Sequence, residues 1–346
     1  MFAPSSSAVI IKSTDMLIIK RPQTAPYFNI AAEEFMLKHL REDCFALWRN
    51  EPAVIVGRHQ NTLAEIDRDY VERHHIPVIR RMTGGGAVFH DLGNICFTFV
   101  RSTRNARGER MPDFHEFTQP ILDVLQGMGV AARFEGRNDL TIDGRKFSGN
   151  ANGVWQDRIL HHGTLLFSSN IADMSPCLKV NPIKFEGKAV QSVRSRITNI
   201  SEHLSEPVSV EDFIRAIEGH VQQMFPQAVL RPFTAGEEAA VNGLVERKYG
   251  TYEWNYGLSP AYGYRRGLHT EKGGNIEVHC QVEEGCIADL KVFGDYFFTK
   301  DTAAFESAMI GCPLTEAALR ERLSTLPLQD YFAHVAVEEW LRLLMA

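Results

Sequence analysis

The stretch RRMTGGGAVFHD restricts the backbone more than any other part of the chain, because three consecutive glycines (84–86) closely follow Arg80 and Arg81. Glycine adopts positive φ angles and lets backbone N–H groups approach a bulky ligand. Arginine adds a permanent charge and a planar set of donors that suits phosphate or carboxylate. Apolar runs at 77–81 and 95–100 predict strands on either side. The pattern predicts an anion-binding loop between two strands, although a glycine triplet alone also suits a tight structural turn.

The composition is that of an ordinary globular protein, with 346 residues of which 44% are hydrophobic and 23% charged. This length predicts two domains. The formal net charge of -6 argues against a general role in binding nucleic acid or a membrane surface. The six cysteines are scattered without a CxxC pair or zinc spacing, and the first residues lack a signal-peptide pattern. We therefore expect a cytoplasmic protein with reduced thiols.

The first 250 residues predict a mixture of strands and helices. Asn29 is expected to cap a helix at 30–41, and Pro120 to shorten or kink a helix at 114–128. Residues 101–111 are polar and predict a mobile surface loop. The other helices are expected at 65–74, 210–224 and 237–248. The other strands are expected at 16–20, 45–49, 54–56, 132–134, 140–142, 146–148 and 153–167.

The remainder of the chain has a different pattern. Residues 255–261 (NYGLSPA) are rich in turn formers and predict a connector. Three strands are expected next, at 262–268, 275–282 and 287–293, and then three helices, at 301–310, 316–324 and 331–344. Strands followed by segregated helices indicate a small α+β domain. The predicted division is a catalytic domain at 1–254, a linker at 255–261 and an accessory domain at 262–346.

The segment 173–196 carries five basic residues against two acidic ones, and two prolines and a glycine interrupt it. Such a run is compatible with a solvated surface loop. It is equally compatible with a basic lid that closes over an anionic ligand.

Several well-known phosphate and catalytic motifs are absent from the sequence. It contains no GxxxxGK[ST], GxGxxG, HExxH or GxSxG. Three blocks in order, RRMTGGGAVFHDLGN (80–94), GRNDLTIDGRKFSGNA (136–151) and HHGTLLF (161–167), closely resemble the lipoate–protein ligase A family. The resemblance extends over essentially the whole chain. Its further blocks are PYFNIAAEEF, LWRNEPAVIVGRHQN, SVRSRITN and YEWNYG.

This resemblance implies an α+β fold shared with biotin–protein ligases: a mixed β-sheet core flanked by helices, plus a small C-terminal domain. It implies an enzyme that converts lipoate and MgATP to lipoyl-AMP, with no permanently bound cofactor. The lipoyl group then passes to a lysine of an acceptor protein. The implied acceptors are the lipoyl domains of 2-oxo-acid dehydrogenase E2 subunits and the glycine cleavage H protein. The resemblance favours the lid interpretation of 173–196, closing over the adenylate, and gives the C-terminal domain a role in domain rearrangement and acceptor docking.

The resemblance also assigns site residues. Lys146 is implied to contact both ATP and lipoate, and a compact ammonium there suits the neutralisation of two anions that must meet. Arg81 matches a nucleotide-contacting arginine, and Arg80 either assists it or is a surface charge. Asp139 is the candidate Mg²⁺ contact, because magnesium prefers carboxylate and phosphate oxygens, although a turn residue remains the alternative. The implied adenine-side segment is Gly86, Ala87, Val88 and Phe89.

Three histidines, His90, His161 and His162, are candidates for a general base, but packed and hydrogen-bonded strand residues explain them as well. The nearest alternative function is an ATP-independent octanoyl or lipoyl transferase of the same fold, which needs a cysteine nucleophile. Cys96 and Cys177 are not expected to act as that nucleophile. A biotin ligase and a non-catalytic binding protein are the remaining alternatives.

Overall fold

The computed structural model describes residues 16–103, 114–136, 138–170, 176–178, 197–257, 264–283 and 285–345. In these residues fourteen strands form three sheets. In chain order the strands are β1 (Met16–Lys20), β2 (Asp43–Arg49), β3 (Ala53–Val56), β4 (Val78–Arg80), β5 (Val88–His90), β6 (Asn94–Ser102), β7 (Ala132–Glu135), β8 (Asp139–Ile142), β9 (Arg145–Trp155), β10 (Arg158–Leu166), β11 (Val229–Pro232), β12 (Tyr264–Thr270), β13 (Gly274–Glu283) and β14 (Cys286–Gly294).

The helices flank these sheets. In chain order they are α1 (Pro26–His39), α2 (Thr62–Glu65), α3 (Arg68–Arg73), α4 (Phe114–Gly127), α5 (Val210–Met224), α6 (Ala235–Leu244), α7 (Tyr252–Tyr256), α8 (Ala303–Met309), α9 (Glu316–Ser324), α10 (Leu328–Tyr331) and α11 (Val337–Met345). A 3₁₀ turn at Ile200–His203 precedes α5, and a π turn at Val245–Tyr249 continues α6. None of the described helices is long and apolar enough to cross a bilayer.

The largest sheet has eight strands in the order β11-β1-β2-β6-β10-β9-β8-β7. β1 pairs in parallel with β2 and β11, whereas the remaining neighbours pair antiparallel. The sheet is therefore mixed, and the expected α+β fold with a mixed sheet core flanked by helices is confirmed.

Alternating side chains of this sheet enter two separate cores. Ile18 packs in one core with residues of α4 and α5, whereas its neighbour Ile19 packs in the other with residues of α1 and α6. This follows from the two-residue period of a strand, which sends successive side chains to opposite faces. The eight-stranded sheet is therefore covered on both faces.

Two smaller sheets complete the fold. β4, β3 and β5 form a short sheet in which β3 pairs in parallel with β4 and antiparallel with β5. β12, β13 and β14 form an antiparallel sheet that shares an apolar core with α8, α9, α10 and α11. The predicted order of three strands followed by helices is therefore found in the C-terminal part.

Some predicted boundaries are wrong. Helix α1 begins at Pro26, a residue suited to the first helical turn, and Asn29 lies inside the helix. The Asn29 side chain is buried and donates to the backbone oxygens of Gln23 and Arg49, both at 2.9 Å, instead of capping a helix end. Pro120 lies inside α4 without ending it. The predicted connector begins as the end of α7, and its residues 258–261 lie outside the described part of the chain.

Candidate active site

The glycine loop lies between β4 and β5 and is closely enclosed by backbone atoms. Gly85 has a positive φ of 89°, which favours glycine. A Cβ atom on Gly84 would overlap the carbonyl oxygen of Tyr296, and one on Gly57 would overlap that of Gly85. Glycine at these positions therefore allows close packing of the loop against β3 and against the C-terminal part of the chain.

Arg80 is fully buried, so the prediction that allowed it a place on the surface is wrong. Its Nη1 donates to the carbonyl oxygens of Gly57, Arg58 and Gln60 at 2.9, 3.0 and 2.6 Å. Its Nε donates to the carbonyl oxygen of Trp254 at 3.0 Å. Burial lowers the pKa of Arg80 to about 9, which leaves it charged at neutral pH. Arg80 thus joins the loop after β3 to helix α7.

Arg81 is also buried, and its donors hold the shape of the glycine loop. Its Nη2 donates to the carbonyl oxygens of Gly84 and Gly86 at 2.6 and 2.9 Å. Its Nε donates to the Thr83 hydroxyl at 3.1 Å. Burial lowers the pKa of Arg81 to about 10, and the charges of Glu33 and of Asp295, which lies in the C-terminal part of the chain, act against that shift. The permanent charge predicted from the sequence is therefore present beside the loop.

Lys146 and Asp139, which the sequence places seven positions apart, form an ion pair. The Nζ atom of Lys146 on β9 lies 2.7 Å from Oδ1 of Asp139 on β8, and the two side chains are 41% and 37% exposed. A register shift between Leu140 and Thr141 brings Thr141 opposite Lys146. The backbone of Lys146 is fixed from the other side, since its carbonyl accepts from the N–H of Thr198 at 3.0 Å.

Two cavities meet at Lys146. The larger, of about 280 Å³, is lined by apolar side chains and by Arg81 and His162. The smaller, of about 180 Å³, is lined mainly by apolar groups, with Asn94 and Ser148 among its polar ones. Their shared lining residues are Ala87, Val88, Lys146, Gly149 and Thr164.

The predicted site residues are thus brought together. Gly86 and Arg81 line the larger cavity, and Phe89 lines the smaller one. Asp139 lines neither cavity, but its ion pair with Lys146 places it next to them. The apolar walls of the larger cavity, which sequence reasoning did not identify, come from separate strands and a helix. They are Ile30, Trp48, Ile55 and Val88.

A buried chain of polar contacts behind the larger cavity was not foreseen. His162 Nδ1 lies 2.9 Å from the carboxylate of Glu33 on α1, and its Nε2 lies 2.7 Å from the hydroxyl of Thr83. Glu33 also accepts from the Thr98 hydroxyl at 2.6 Å. Because Thr83 accepts from Arg81 as well, the chain connects α1 to the glycine loop. The available signal was Glu33, which directly follows the apolar residues 30–32 in PYFNIAAEEF.

The other two histidines are packed side chains. His161 is completely buried and lies 2.6 Å from Oδ1 of Asn152, and burial lowers its pKa well below the usual value. His90 lies 3.1 Å from Nδ2 of Asn50, and burial lowers its pKa to about 3. Both rings are therefore neutral at pH 7. Of the three histidines, His90 and His162 line the larger cavity, whereas His161 does not.

No cysteine provides a thiolate at the site. Cys96 lines the larger cavity, but burial raises its pKa well above the ordinary value. A neutral, buried thiol is a poor nucleophile. This geometry argues against a transferase with a cysteine nucleophile.

Comparison with known proteins settles the family. The model of the lipoyl protein ligase A/B catalytic domain matches residues 25–222, and that of the bacterial lipoate protein ligase C-terminus matches residues 259–344. The chain belongs to the lipoyl protein ligase A/B family. Lipoate–protein ligase 1 of Staphylococcus aureus is 37% identical over 325 residues, which cover 93% of this chain and 97% of that one. The Bacillus subtilis lipoate–protein ligase LplJ is 35% identical, covering 92% and 96%.

Solved structures support the same assignment. Plasmodium falciparum LipL1, solved in complex with lipoate, shares the fold, with a TM-score of 0.75, 22% identity and coverage of 96% of this chain and 99% of that one. A lipoate–protein ligase A bound with ATP has a TM-score of 0.60 and 25% identity, covering 71% and 99%. A bipartite lipoate–protein ligase from Thermoplasma acidophilum, studied with its E2 lipoyl domain, has a TM-score of 0.59 and 27% identity, covering 73% and 99%. The protein is an ATP-dependent ligase by family.

Proposed function

We propose that the protein activates free lipoate with MgATP to give lipoyl-AMP and pyrophosphate, and then transfers the lipoyl group to a lysine ε-amine of an acceptor protein. The observation that carries the proposal is the position of Lys146, whose side chain lines both cavities at their junction. Two substrates bound in separate cavities would react where the cavities meet.

Lys146 is the proposed catalytic residue and the contact to both substrates. When a carboxylate attacks an α-phosphate, two anions must approach each other, and their repulsion has to be neutralised. Preorganised positive charge aimed at developing negative charge is commonly the largest catalytic contribution, roughly 3–4 kcal/mol per well-placed donor. The Asp139 partner holds the ammonium at the junction before the substrates arrive.

The larger cavity is the proposed lipoate site. Its apolar walls, Ile30, Trp48 and Ile55, suit an aliphatic chain whose carboxylate faces Lys146. The smaller cavity is the proposed nucleotide site. Ala87, Val88 and Phe89 line this cavity, and Gly86 lines the larger one beside it. This segment is the proposed contact to the purine edge, and Arg81 holds it in place by donating to the carbonyl oxygen of Gly86.

Asp139 is the proposed magnesium contact. Among the described residues no group of three or more His, Cys, Asp or Glu side chains could hold a metal ion by itself. Mg²⁺ commonly binds through one or two carboxylates together with the phosphates of its substrate, and the partly exposed carboxylate of Asp139 fits that arrangement. When bound, the ion would neutralise phosphate charge.

The proposed acceptors are lipoyl domains of 2-oxo-acid dehydrogenase E2 subunits and the glycine cleavage H protein, with no nucleic acid or membrane as partner. The Thermoplasma acidophilum relative, studied with its E2 lipoyl domain, supports the first of these. The proposed organisation keeps a catalytic domain at 1–254, a linker at 255–261 and a docking domain at 262–346. A cytoplasmic location accords with the six cysteines, all described, which are thiols rather than disulfides.

The proposed lid, 173–196, lies outside the described residues except for 176–178. That the lid keeps water from lipoyl-AMP, which is a reactive mixed anhydride, stays a prediction. Limited proteolysis tests it: cleavage within 173–196 should be blocked once lipoyl-AMP is bound, and equal cleavage in both states would contradict the lid.

The deciding experiment is the exchange of labelled pyrophosphate into ATP, with and without lipoate. The proposal expects exchange that depends on lipoate. An ATP-independent transferase or a non-catalytic binder would show none, and a biotin ligase would respond to biotin. Absence of lipoate-dependent exchange in a folded protein would overturn the proposal.

A further inference from the structure

Gly149 lies three residues after Lys146 on β9, at a position where the backbone does not require glycine. Its φ is not among the positive values that other glycines of the described chain adopt. Glycine inside a strand weakens the strand, because it has no side chain to pack. The absence of a side chain at this position therefore needs another explanation.

An irregularity in the pairing of β8 with β9 places Lys146 and Gly149 on one face of the sheet. Asp139 pairs with Gly149 and Thr141 pairs with Lys146, so the two pairs are two positions apart on β8 but three positions apart on β9. Paired residues share a face, and so do residues two apart on a strand. Without the extra residue in β9, the odd separation would put Lys146 and Gly149 on opposite faces.

The side chain of Lys146 occupies the space next to Gly149. A Cβ atom added to Gly149 would lie 2.9 Å from Nζ and 3.1 Å from Cε of Lys146. Apart from the chain neighbours of Gly149, no other described atom lies within 4 Å of that position. The lysine therefore passes over the bare backbone of Gly149 where its Nζ meets the carboxylate of Asp139, at 2.7 Å.

The backbone of Gly149 is held on both sides. Its N–H donates to the hydroxyl of Thr164 on β10 at 3.3 Å. On the β8 side, the N–H of Asn150 donates to the carbonyl oxygen of Asn138 at 3.1 Å, and Nδ2 of Asn138 donates to the carbonyl oxygen of Asn150 at 2.5 Å. The end of a lysine side chain moves more easily than a strand that is paired on both sides. A side chain at position 149 would therefore displace the ammonium and leave the sheet in place.

We propose that Gly149 is a positioning residue for Lys146, because its missing side chain leaves the space in which the ammonium lies. Both residues line both cavities, so a displaced ammonium would change its distance to both proposed substrates. A misplacement of about 1 Å can lower a catalytic rate by about 100-fold. The inference rests on the proposed function, in which Lys146 is the catalytic group.

Gly149→Ala and Gly149→Val test the proposal in lipoate-dependent pyrophosphate exchange. We expect kcat to fall about tenfold with alanine and about 100-fold with valine, because the larger side chain displaces the ammonium further. The urea midpoint of unfolding should not fall, since both residues suit a strand at least as well as glycine. Gly163→Ala on β10 is the contrasting control: its Cβ would overlap Oδ1 of Asn150 and the ring of Phe97, so it should lower the midpoint. Full activity of both Gly149 variants would overturn the proposal.

The Lys146→Met background separates positioning of the ammonium from direct obstruction of the cavities. If Gly149 acts through the ammonium, Gly149→Ala should change the residual exchange rate of Lys146→Met by less than about twofold. An equal loss in both backgrounds would mean that the added methyl group acts on the substrates or on the fold, and would refute the positioning role.

Crystal structures of the wild type and of Gly149→Ala provide a test that does not depend on the reaction. The Nζ atom of Lys146 should move by at least about 0.5 Å, the shift that restores an ordinary contact distance to the new Cβ, while β8 and β9 stay paired. An unmoved ammonium would contradict the proposal. Absence of lipoate-dependent exchange in the wild type would overturn the proposed function, whereas the structure of the variant decides on Gly149 in either case.

Discussion

The Nζ atom of Lys146 lies 2.7 Å from Oδ1 of Asp139 at the junction of two cavities. Sequence reasoning gave these residues separate tasks, catalysis and metal binding, but the structure makes them partners. An ion pair with both side chains this exposed contributes little stability, typically about 0–1 kcal/mol. The pair therefore positions the ammonium, and little free energy of folding is lost when a substrate anion takes the place of Asp139.

Replacement of Lys146 by methionine tests its catalytic role. We expect lipoate-dependent pyrophosphate exchange to fall by roughly 100- to 1,000-fold, the usual effect of removing one preorganised donor. The unfolding midpoint should barely change, because the lost pair is exposed. Lys300→Met is the matched control, since Lys300 forms a similar pair, 2.8 Å from Asp330, in the C-terminal part. Near-normal exchange in Lys146→Met would assign the role to another group.

Replacement of Asp139 by asparagine tests the proposed magnesium contact. The Mg²⁺ concentration for half-maximal exchange should rise about tenfold, as expected for loss of one charged contact of about 1.5 kcal/mol. Asp143→Asn is the control, because Asp143 lies nearby with its side chain 76% exposed and with a positive φ of 50° that asparagine tolerates. An unchanged magnesium dependence in Asp139→Asn would show that Asp139 does not contact the metal ion and only positions Lys146.

Much of the fold could be predicted from the sequence because it depends on local patterns. Strand β1 and helices α5 and α9 have the predicted bounds. β1 is a short apolar run that ends before a turn, and the side chains of Ser209 and Thr315 cap the starts of α5 and α9. The predicted helix at 331–344 instead divides into α10 and α11. His334, with a positive φ of 65°, lies in the break between them, and no glycine marks that position.

Site residues could be predicted only where they lie together in one continuous sequence motif. Lys146 and the glycine loop lie in continuous blocks of sequence, whereas the walls of the larger cavity come from β2, β3 and α1. The burial of Arg80 could not be foreseen either, because its partners include the backbone of residues 57–60 and 254–255, which only the tertiary fold brings near it.

Replacement of Gly84 by alanine tests the packing of the glycine loop against the C-terminal part. The new Cβ would overlap the carbonyl oxygen of Tyr296, so one backbone segment must move. We expect a loss of roughly 1–3 kcal/mol in the free energy of unfolding, measured with urea. Gly127→Ala is the control, because no described atom outside its chain neighbours and its own helix backbone lies within 4 Å of the added Cβ. Gly127 is the last residue of α4, so the replacement should stabilise by up to about 1 kcal/mol. Equal stability of wild type and Gly84→Ala would show that the segments are not held together.

Replacement of Glu33 by glutamine tests the buried chain from α1 to the glycine loop. Burial alone would raise the pKa of Glu33, but the charge of His162 and the hydrogen bonds from His162 and Thr98 lower it below 4.5. A carboxyl whose folded pKa is lowered stabilises the fold above its unfolded pKa, and this contribution disappears as pH falls through the folded value. At pH 7 Glu33→Gln should therefore lose about 3 kcal/mol in unfolding free energy, as expected for breaking a buried charged pair.

The loss in Glu33→Gln should shrink as the pH falls from 4.5 through the lower folded pKa of Glu33, because the unfolded chain is protonated first and the folded carboxylate only at that lower pH. Urea unfolding of both proteins from pH 7 downward measures this difference. Glu218→Gln provides a control of opposite sign: burial raises the pKa of Glu218, so its ionised form costs stability at neutral pH and its replacement should not destabilise.

Thermodynamics alone does not separate a structural effect from a positioning effect on the loop. If Glu33 holds His162 and Thr83 in place for Arg81, the KM for ATP in the exchange assay should rise in Glu33→Gln, and an unchanged KM would limit Glu33 to a structural role.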